Sequence, residues 1–323
     1  MKYRRFGRTN WQVSDIGYGM WGMAGWKESD DKESERSLDI AVEQGCNFFD
    51  TAWGYGEGKS EKLLGALNKR HPDKKLYNAT KLPPKNFQWP SKPHYKLEEC
   101  FPKNHIIEYA EKSLKNMAVD TIDLLQFHVW EDAWADHDEW KEAIEQLKKE
   151  GKVQHMGVSV NRWEPDNCLK TLQTGYIDAV QVIYNIFDQA PEDKLFPTCK
   201  KLDVAIIARV PFDEGTLTGT LTKDSKWPKG DWRNTYFVPE NLHSSVEHAE
   251  ALRPILPAGM SMPEMALKFI LMNKTVGTII PGMRKENHVK SNIAVSDAPP
   301  LSSDLMAELK KHRWDREPTD WSQ

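Results

Sequence analysis

The chain has 323 residues, with 44 lysine and arginine against 48 aspartate and glutamate side chains, a formal net charge of −4, and 39% hydrophobic and 28% charged residues. That balance excludes a disordered chain and leaves no concentrated basic surface for nucleic acid. No apolar run reaches the length of a membrane span, and Met1-Lys2-Tyr3-Arg4-Arg5-Phe6 has no apolar core behind its charges, so neither a membrane segment nor a signal peptide is expected.

The first apolar pieces, residues 2–6 and 11–13, flank Gly7-Arg8-Thr9-Asn10 and predict a β-hairpin. A glycine-rich strand follows at 15–20, then a helix at 34–44 with Leu38, Ala41 and Val42 on one face and Gly45 closing it. The alternation then continues: strand 47–51, helix 59–67; strand 76–81, helix 104–117 with Asn104 as its cap; strand 121–127, helix 138–150. It goes on with strand 154–160, helix 165–172 with Pro165 at its start; strand 179–184, helix 192–201; strand 204–209, helix 261–272; strand 275–280 and helix 285–294. Strands such as Ala179-Val180-Gln181-Val182-Ile183 are mostly apolar on both faces, as a parallel sheet covered by helices requires.

Eight strand–helix pairs select an α/β fold of the (β/α)8 TIM-barrel type, preceded by an N-terminal hairpin, over an open doubly wound sheet. Such a barrel needs about 250 residues, which leaves long loops at 83–102, 129–137 and 210–260, the last with an extra helix near 245–256. All three follow strand C-termini, the functional end of a barrel. No linker interrupts residues 1–323, so a single domain is expected, with residues 301–323 as a terminal helix and a tail across the mouth.

Asp50 and Lys81 each end a mostly apolar strand, Tyr55 sits between glycines in Gly54-Tyr55-Gly56, and His128 directly follows Leu124-Leu125-Gln126-Phe127. Neighbouring strands lie about 4.8 Å apart, so the Asp and Lys can touch. A nearby ammonium favours phenolate and lowers the pKa of a phenol, a carboxylate keeps the Lys charged, and an imidazole adds a donor or relay. Together they can protonate a carbonyl oxygen and stabilise the charge developing there. Reduction also needs a hydride, which no side chain supplies, so a nicotinamide cofactor is implied. Singly, each residue has an ordinary structural reading: an ion pair, a packed histidine, a turn aromatic. Three consecutive strand ends carrying all four favour chemistry.

Four cysteines (Cys46, Cys100, Cys168, Cys199) show no zinc-site spacing and read as reduced, packed thiols of a cytoplasmic protein. His128, Glu131, Asp132, Asp136, His137 and Asp138 cluster without a single helix face or tetrahedral set, and read as a solvated acidic loop with no metal. The acidic positions between Asp178 and Asp193 read as helix caps and first-turn charges. Gly54-Tyr55-Gly56-Glu57-Gly58 is not a Rossmann fingerprint.

Asp50-Thr51-Ala52-Trp53-Gly54-Tyr55-Gly56, Ala79-Thr80-Lys81 and Leu124-Leu125-Gln126-Phe127-His128 resemble the aldo-keto reductase family, as does the opening Tyr3-Arg4-Arg5-Phe6-Gly7-Arg8-Thr9-Asn10 with Val13-Ser14 and Gly17-Tyr18-Gly19. The likeness runs from Lys2 to about Asn292. It implies a barrel that binds NADP(H) across its C-terminal mouth, with Tyr55 as proton donor, Lys81 and Asp50 tuning it, and His128 orienting the carbonyl. It also implies that Ser159 holds the carboxamide, with Asn161 in place of the family's usual following Asn, and that Gln181 is a second amide contact. Arg209, in Arg209-Val210-Pro211-Phe212, falls where many members stack an aromatic ring on the nicotinamide, and its planar guanidinium can stack instead. Residues 215–219, ending at Gly219, would cover the pyrophosphate, and Ile280-Pro281-Gly282-Met283-Arg284 with His288 and Asn292 the adenosine end. Gly282 and His288 stand where several members place a Lys and an Arg around the 2′-phosphate. Arg284 and Lys285 can substitute, so NADP(H) is expected, with NAD(H) as the alternative.

Tryptophan, at 13 residues, outnumbers phenylalanine (11) and tyrosine (9). Trp21, also placed among the cofactor contacts, and Trp53, Phe87, Trp89, Trp130, Trp134, Trp227 and Trp232 are candidate pocket walls, about half of them ordinary packing. They suit a flat, aromatic or sugar-like carbonyl or alcohol substrate. A cofactor-binding sensor barrel with little turnover is the second reading, and a metal-dependent barrel hydrolase a third.

Overall fold

The computed structural model describes residues 1–23 and 31–322. The hairpin pairs β1 (Tyr3–Phe6) with β2 (Trp11–Ser14) antiparallel. Eight parallel strands follow: β3 (Tyr18–Gly19), β4 (Phe48–Asp50), β5 (Tyr77–Leu82), β6 (Ile122–Phe127), β7 (Val153–Ser159), β8 (Ala179–Ile183), β9 (Ala205–Arg209) and β10 (Val276–Ile279). Each hydrogen-bonds to the next in chain order. The ring closes where Ile16 and Gly19 bridge Ile279 and Gly282, with Gly17 N–H donating to the Ile279 carbonyl (2.7 Å) and Gly19 N–H to that of Pro281 (3.0 Å). The fold is therefore the (β/α)8 barrel with an N-terminal hairpin.

Closure depends on a missing side chain. A Cβ on Gly19 would lie 2.5 Å from the Ile280 carbonyl oxygen, a backbone atom that cannot swing aside. A Cβ on Gly282, across the same seam, would meet nothing within 4 Å. Gly19→Ala should cost about 1–3 kcal/mol as an overpacking change, whereas Gly282→Ala should leave the thermal midpoint unchanged. Thermal unfolding of the two variants side by side checks this.

Alternation along the strands stacks the barrel interior in layers. Phe48, Ala79, Leu124, Ala179, Ala205 and Ile207 form an apolar layer that the hairpin plugs from below with Phe6 and Val13. Two residues further along the same strand faces come Asp50, Lys81, Gln126, Gln181 and Arg209. The barrel interior thus turns from apolar to polar within one step of the pleat, at the C-terminal ends of its strands. Gly157 makes room in this transition, since a Cβ there would lie 2.9 Å from Gln126 Cγ.

Several expected elements shift. The helix expected at 165–172 spans only Leu169–Gln173, because the Asp132 carboxylate accepts the N–H groups of Lys170 and Thr171 and fixes the helix start there. Asn104 is not a cap: the helix is Lys103–Met117, with Pro102 at the cap position. The extra helix begins earlier than expected, as Pro239–Leu252, with Pro239 opening its first turn. The terminal helix is Ser303–Lys310, and the tail beyond it stacks Trp314 on His248 at 3.9 Å between centroids. Ser322 reaches the barrel mouth, and Gln323 lies outside the described residues. Among the described residues no helix is long and apolar enough to cross a membrane.

Candidate active site

The polar layer opens into a cavity of about 620 Å³ at the mouth. On its floor, Lys81 Nζ donates to Asp50 Oδ2 (2.5 Å), to the Thr51 carbonyl (2.7 Å) and to Tyr55 Oη (3.4 Å). Asp50 Oδ1 accepts from the amides of Gln126 (3.0 Å) and Gln181 (2.8 Å). The His128 ring meets the Tyr55 ring edge-on at 5.6 Å. The four residues expected at three strand ends are thus one cluster. Tyr55, His128 and Asp50 line the cavity, and Lys81 lies buried beneath it.

Protonation follows from burial. Lys81 is held above the ordinary lysine value: burial opposes its charge, but Asp50 and Tyr55 outweigh that. Burial raises Tyr55 above the usual tyrosine value, and the Lys81 and Arg209 cations pull it back only in part. The expectation that the ammonium would leave this phenol more acidic than usual is therefore corrected: the pull exists, and desolvation exceeds it. Burial, Lys81 and Arg209 together depress His128 well below the ordinary histidine value, so its ring is neutral at neutral pH. In that pH range the phenol carries the proton, and the imidazole accepts or donates only a neutral hydrogen bond.

The rest of the lining supplies unpartnered polar groups. Among the described residues His128 Nδ1 and Arg209 Nε are buried without a hydrogen bond, and Ser159 lines the cavity beside them. Arg209 donates from Nη2 to the Val160 carbonyl (3.0 Å) and makes no ion pair among the described residues; burial and then Arg162 push its guanidinium down to about 10. Beyond β9, three successive residues take left-handed backbone, Asp213 (φ 46°), Glu214 (φ 55°) and Gly215 (φ 113°). Two arginines hold this loop: Arg162 donates to Glu214 (2.6 Å), and Arg316 of the tail donates to Asp213 (2.7 Å) and also to Asp188 (2.6 Å). Trp21, Val210, Pro211, Phe212, Gly282, Arg284 and His288 complete the expected contacts that line the cavity.

Ser159, Gln181, Arg209, Gly282, Arg284 and His288 thus share one cavity with Tyr55 and His128, as expected of residues that meet a dinucleotide. Two expected positions do not line it: Gly219 backs onto Met262, 3.4 Å from where a Cβ would sit, and Asn292 is buried in its helix. The amide of Asn161 is taken up by Glu164 (2.8 Å), Ser91 (3.0 Å) and Glu131 (3.1 Å), which leaves it no free donor for a carboxamide.

The sequence pattern of the aldo/keto reductase family matches residues 15–313. The chain belongs to the aldo/keto reductase family. It is 28% identical over 332 aligned positions to the NADH-specific methylglyoxal reductase of Escherichia coli, covering 96% of this chain and 98% of that one. Its fold superposes on the holo form of an aldo-keto reductase from Bacillus halodurans (26% identity, TM-score 0.78, all of both chains). A glycerol dehydrogenase from Gluconobacter oxydans gives 25% identity and a TM-score of 0.79, over 96% of this chain and 94% of that one. This aldo-keto reductase is thus an oxidoreductase by family, and the family works with nicotinamide cofactors on small carbonyl compounds.

Some residues around the aldo-keto reductase site escaped the sequence reading. Gln126 lies in an apolar strand, yet it shares Lys81's register and points inward beside it. Of the aromatic candidates, Trp21, Trp89 and Trp232 reach the mouth, with Trp21 and Trp232 in tilted contact at 5.1 Å. Trp130 and Trp134 are core, Trp53 packs on Tyr109, and Trp227 stacks on Phe237. Glu192 is a first-turn charge of the short helix Ala190–Glu192 and Asp193 sits at its C-cap, where it also pairs with Arg313; Asp178 caps no helix and is the ion-pair partner of Arg8. Asp136 pairs with Lys170, so the expected acidic loop is knitted into its neighbours.

Proposed function

We propose that the chain is a nicotinamide-dependent reductase of aldehydes or ketones, with Tyr55 as the proton donor to the carbonyl oxygen. The observation that carries the reading is the protonated phenol beside a buried ammonium, 3.4 Å away, on the floor of a cavity whose imidazole is neutral. A nicotinamide, when bound, would supply the hydride that the carbonyl carbon needs. Tyr55 gives its proton to the oxygen as negative charge builds there, and Lys81 stabilises the phenolate left behind. Asp50, itself braced by Gln126 and Gln181, keeps Lys81 charged and aimed. His128 donates a neutral hydrogen bond that orients the carbonyl.

Ser159 and Gln181 would bind the carboxamide, Arg209 would underlie the nicotinamide, the 213–218 loop would cover the pyrophosphate, and Arg284 with His288 would take the adenosine end. Burial, then Lys285 and Arg284, lower His288, so its ring is neutral at neutral pH before a phosphate binds. Arg284 and Lys285 remain, and they favour NADP(H). The relative named NADH-specific marks the opposite outcome. Trp21, Trp89 and Trp232 suit a substrate with a flat or sugar-like body, and a small 2-oxoaldehyde belongs in the panel because of that same relative.

Oxidation of NADPH and NADH, followed with aromatic aldehydes, aldoses and methylglyoxal, tests this. Turnover with at least one carbonyl class is expected, with a lower KM for NADPH. Tight cofactor retention with no turnover on any carbonyl would favour the sensor reading.

A further inference from the structure

Three cations surround the cavity floor, and only two of them have carboxylates. Lys81 is matched by Asp50 at 2.5 Å, and Arg162 by Glu214 at 2.6 Å. Asp188 and Asp213 are both taken by Arg316. His128 is neutral. Among the described residues Arg209 has no ion pair: its hydrogen bond goes to the Val160 carbonyl, and its Nε is buried without a partner there. The floor therefore carries one uncompensated positive charge, on a flat group that lines the cavity with Tyr55.

The two forms of a nicotinamide differ in charge. The oxidised ring is a cationic pyridinium, and the reduced ring is a neutral dihydropyridine. An aromatic platform would present a negative π-face and favour the cation; a guanidinium repels it. We propose that Arg209 makes this site discriminate by redox state, holding the reduced cofactor more tightly than the oxidised one and so releasing spent cofactor readily. This rests on the proposed function, because it takes the ring to lie over Arg209. It goes beyond that reading by giving the residue a charge-sensing role rather than a merely planar one.

By linkage, the ratio of dissociation constants for the oxidised and reduced forms equals the shift in the cofactor's redox equilibrium on binding. Two unit charges a few ångströms apart in a partly desolvated site separate the two affinities by about tenfold or more. Fluorescence and calorimetric titration of the purified protein with NADPH and NADP+, and with NADH and NAD+, reads this ratio without turnover. The wild type should favour the reduced form by about tenfold or more. Arg209→Met should lower that ratio about tenfold, chiefly by tightening the oxidised form relative to the reduced one, and Arg209→Lys should retain it.

A wild-type ratio near one would overturn the proposal on its own, whether or not either variant folds. So would equal weakening of both forms in Arg209→Met, which would make Arg209 a general contact, or an unchanged ratio in that variant. Failure of all four nucleotides to bind the wild type would instead remove the proposed function itself.

Discussion

Tyr55→Phe should reduce carbonyl turnover by about 10²–10⁴ while cofactor affinity and thermal stability stay unchanged. The separation is possible because the hydroxyl does so little for the fold. Lys81 keeps Asp50 Oδ2 and the Thr51 carbonyl at 2.5 and 2.7 Å when the phenol oxygen at 3.4 Å is gone. The aromatic ring still packs edge-on against His128. Only the proton is removed. His128 cannot replace it, since burial and two neighbouring cations hold the ring neutral. The pH dependence gives a second handle. Reduction needs the protonated phenol, so its rate should be flat through neutrality and fall only as pH rises through a value above that of ordinary tyrosine. Alcohol oxidation needs the phenolate and should rise over the same range. Single-turnover rates and cofactor titrations of the wild type and Tyr55→Phe check both. A variant that keeps its rate would hand the proton to another group.

The barrel was legible because a covered parallel strand and an amphipathic helix leave different periodicities, and here they alternate through the whole chain. Asp50 and Lys81 were legible for a related reason: a charge that ends an apolar strand has to emerge at a rim. Gln126 was not, because an amide inside Leu124-Leu125-Gln126-Phe127 has no local signature. Its purpose appears only when register sets it beside Lys81 and above the space left by Gly157. The pairs Arg162–Glu214, Arg316–Asp213 and Arg316–Asp188 span 52, 103 and 128 residues, so no window of sequence contains them. The net direction of Tyr55's shift was hidden as well, since it is a contest between visible charges and a degree of burial that only packing decides. The helix at Leu169–Gln173 fell short of expectation for a comparable reason, its start being fixed by a carboxylate from the preceding unit.

Lys81→Met should be the most damaging substitution for stability and activity together. Asp50 and Lys81 are almost fully buried. With the ammonium gone, the carboxylate retains only the amides of Gln126 and Gln181, and an uncompensated buried charge costs about 3–5 kcal/mol. Asp50→Asn combined with Lys81→Met removes that charge, so the double variant should recover most of the lost stability. It should not recover activity, because Tyr55 would still lack the cation that stabilises its phenolate. In Lys81→Met the alkaline fall in reduction should also move to higher pH, one of the two cations that oppose desolvation of the phenol having been lost. The linkage sign is fixed by Lys81 lying above its ordinary value when folded. The ion pair's contribution is complete below the ordinary lysine value and disappears as pH rises through the folded one. The stability gap between wild type and Lys81→Met should therefore be constant from neutral pH to about 9 and narrow only beyond the ordinary lysine range. Denaturant titrations across that range would show it, and a gap that closed below pH 9 would mean that the ammonium is not held by Asp50 in the way its 2.5 Å contact implies.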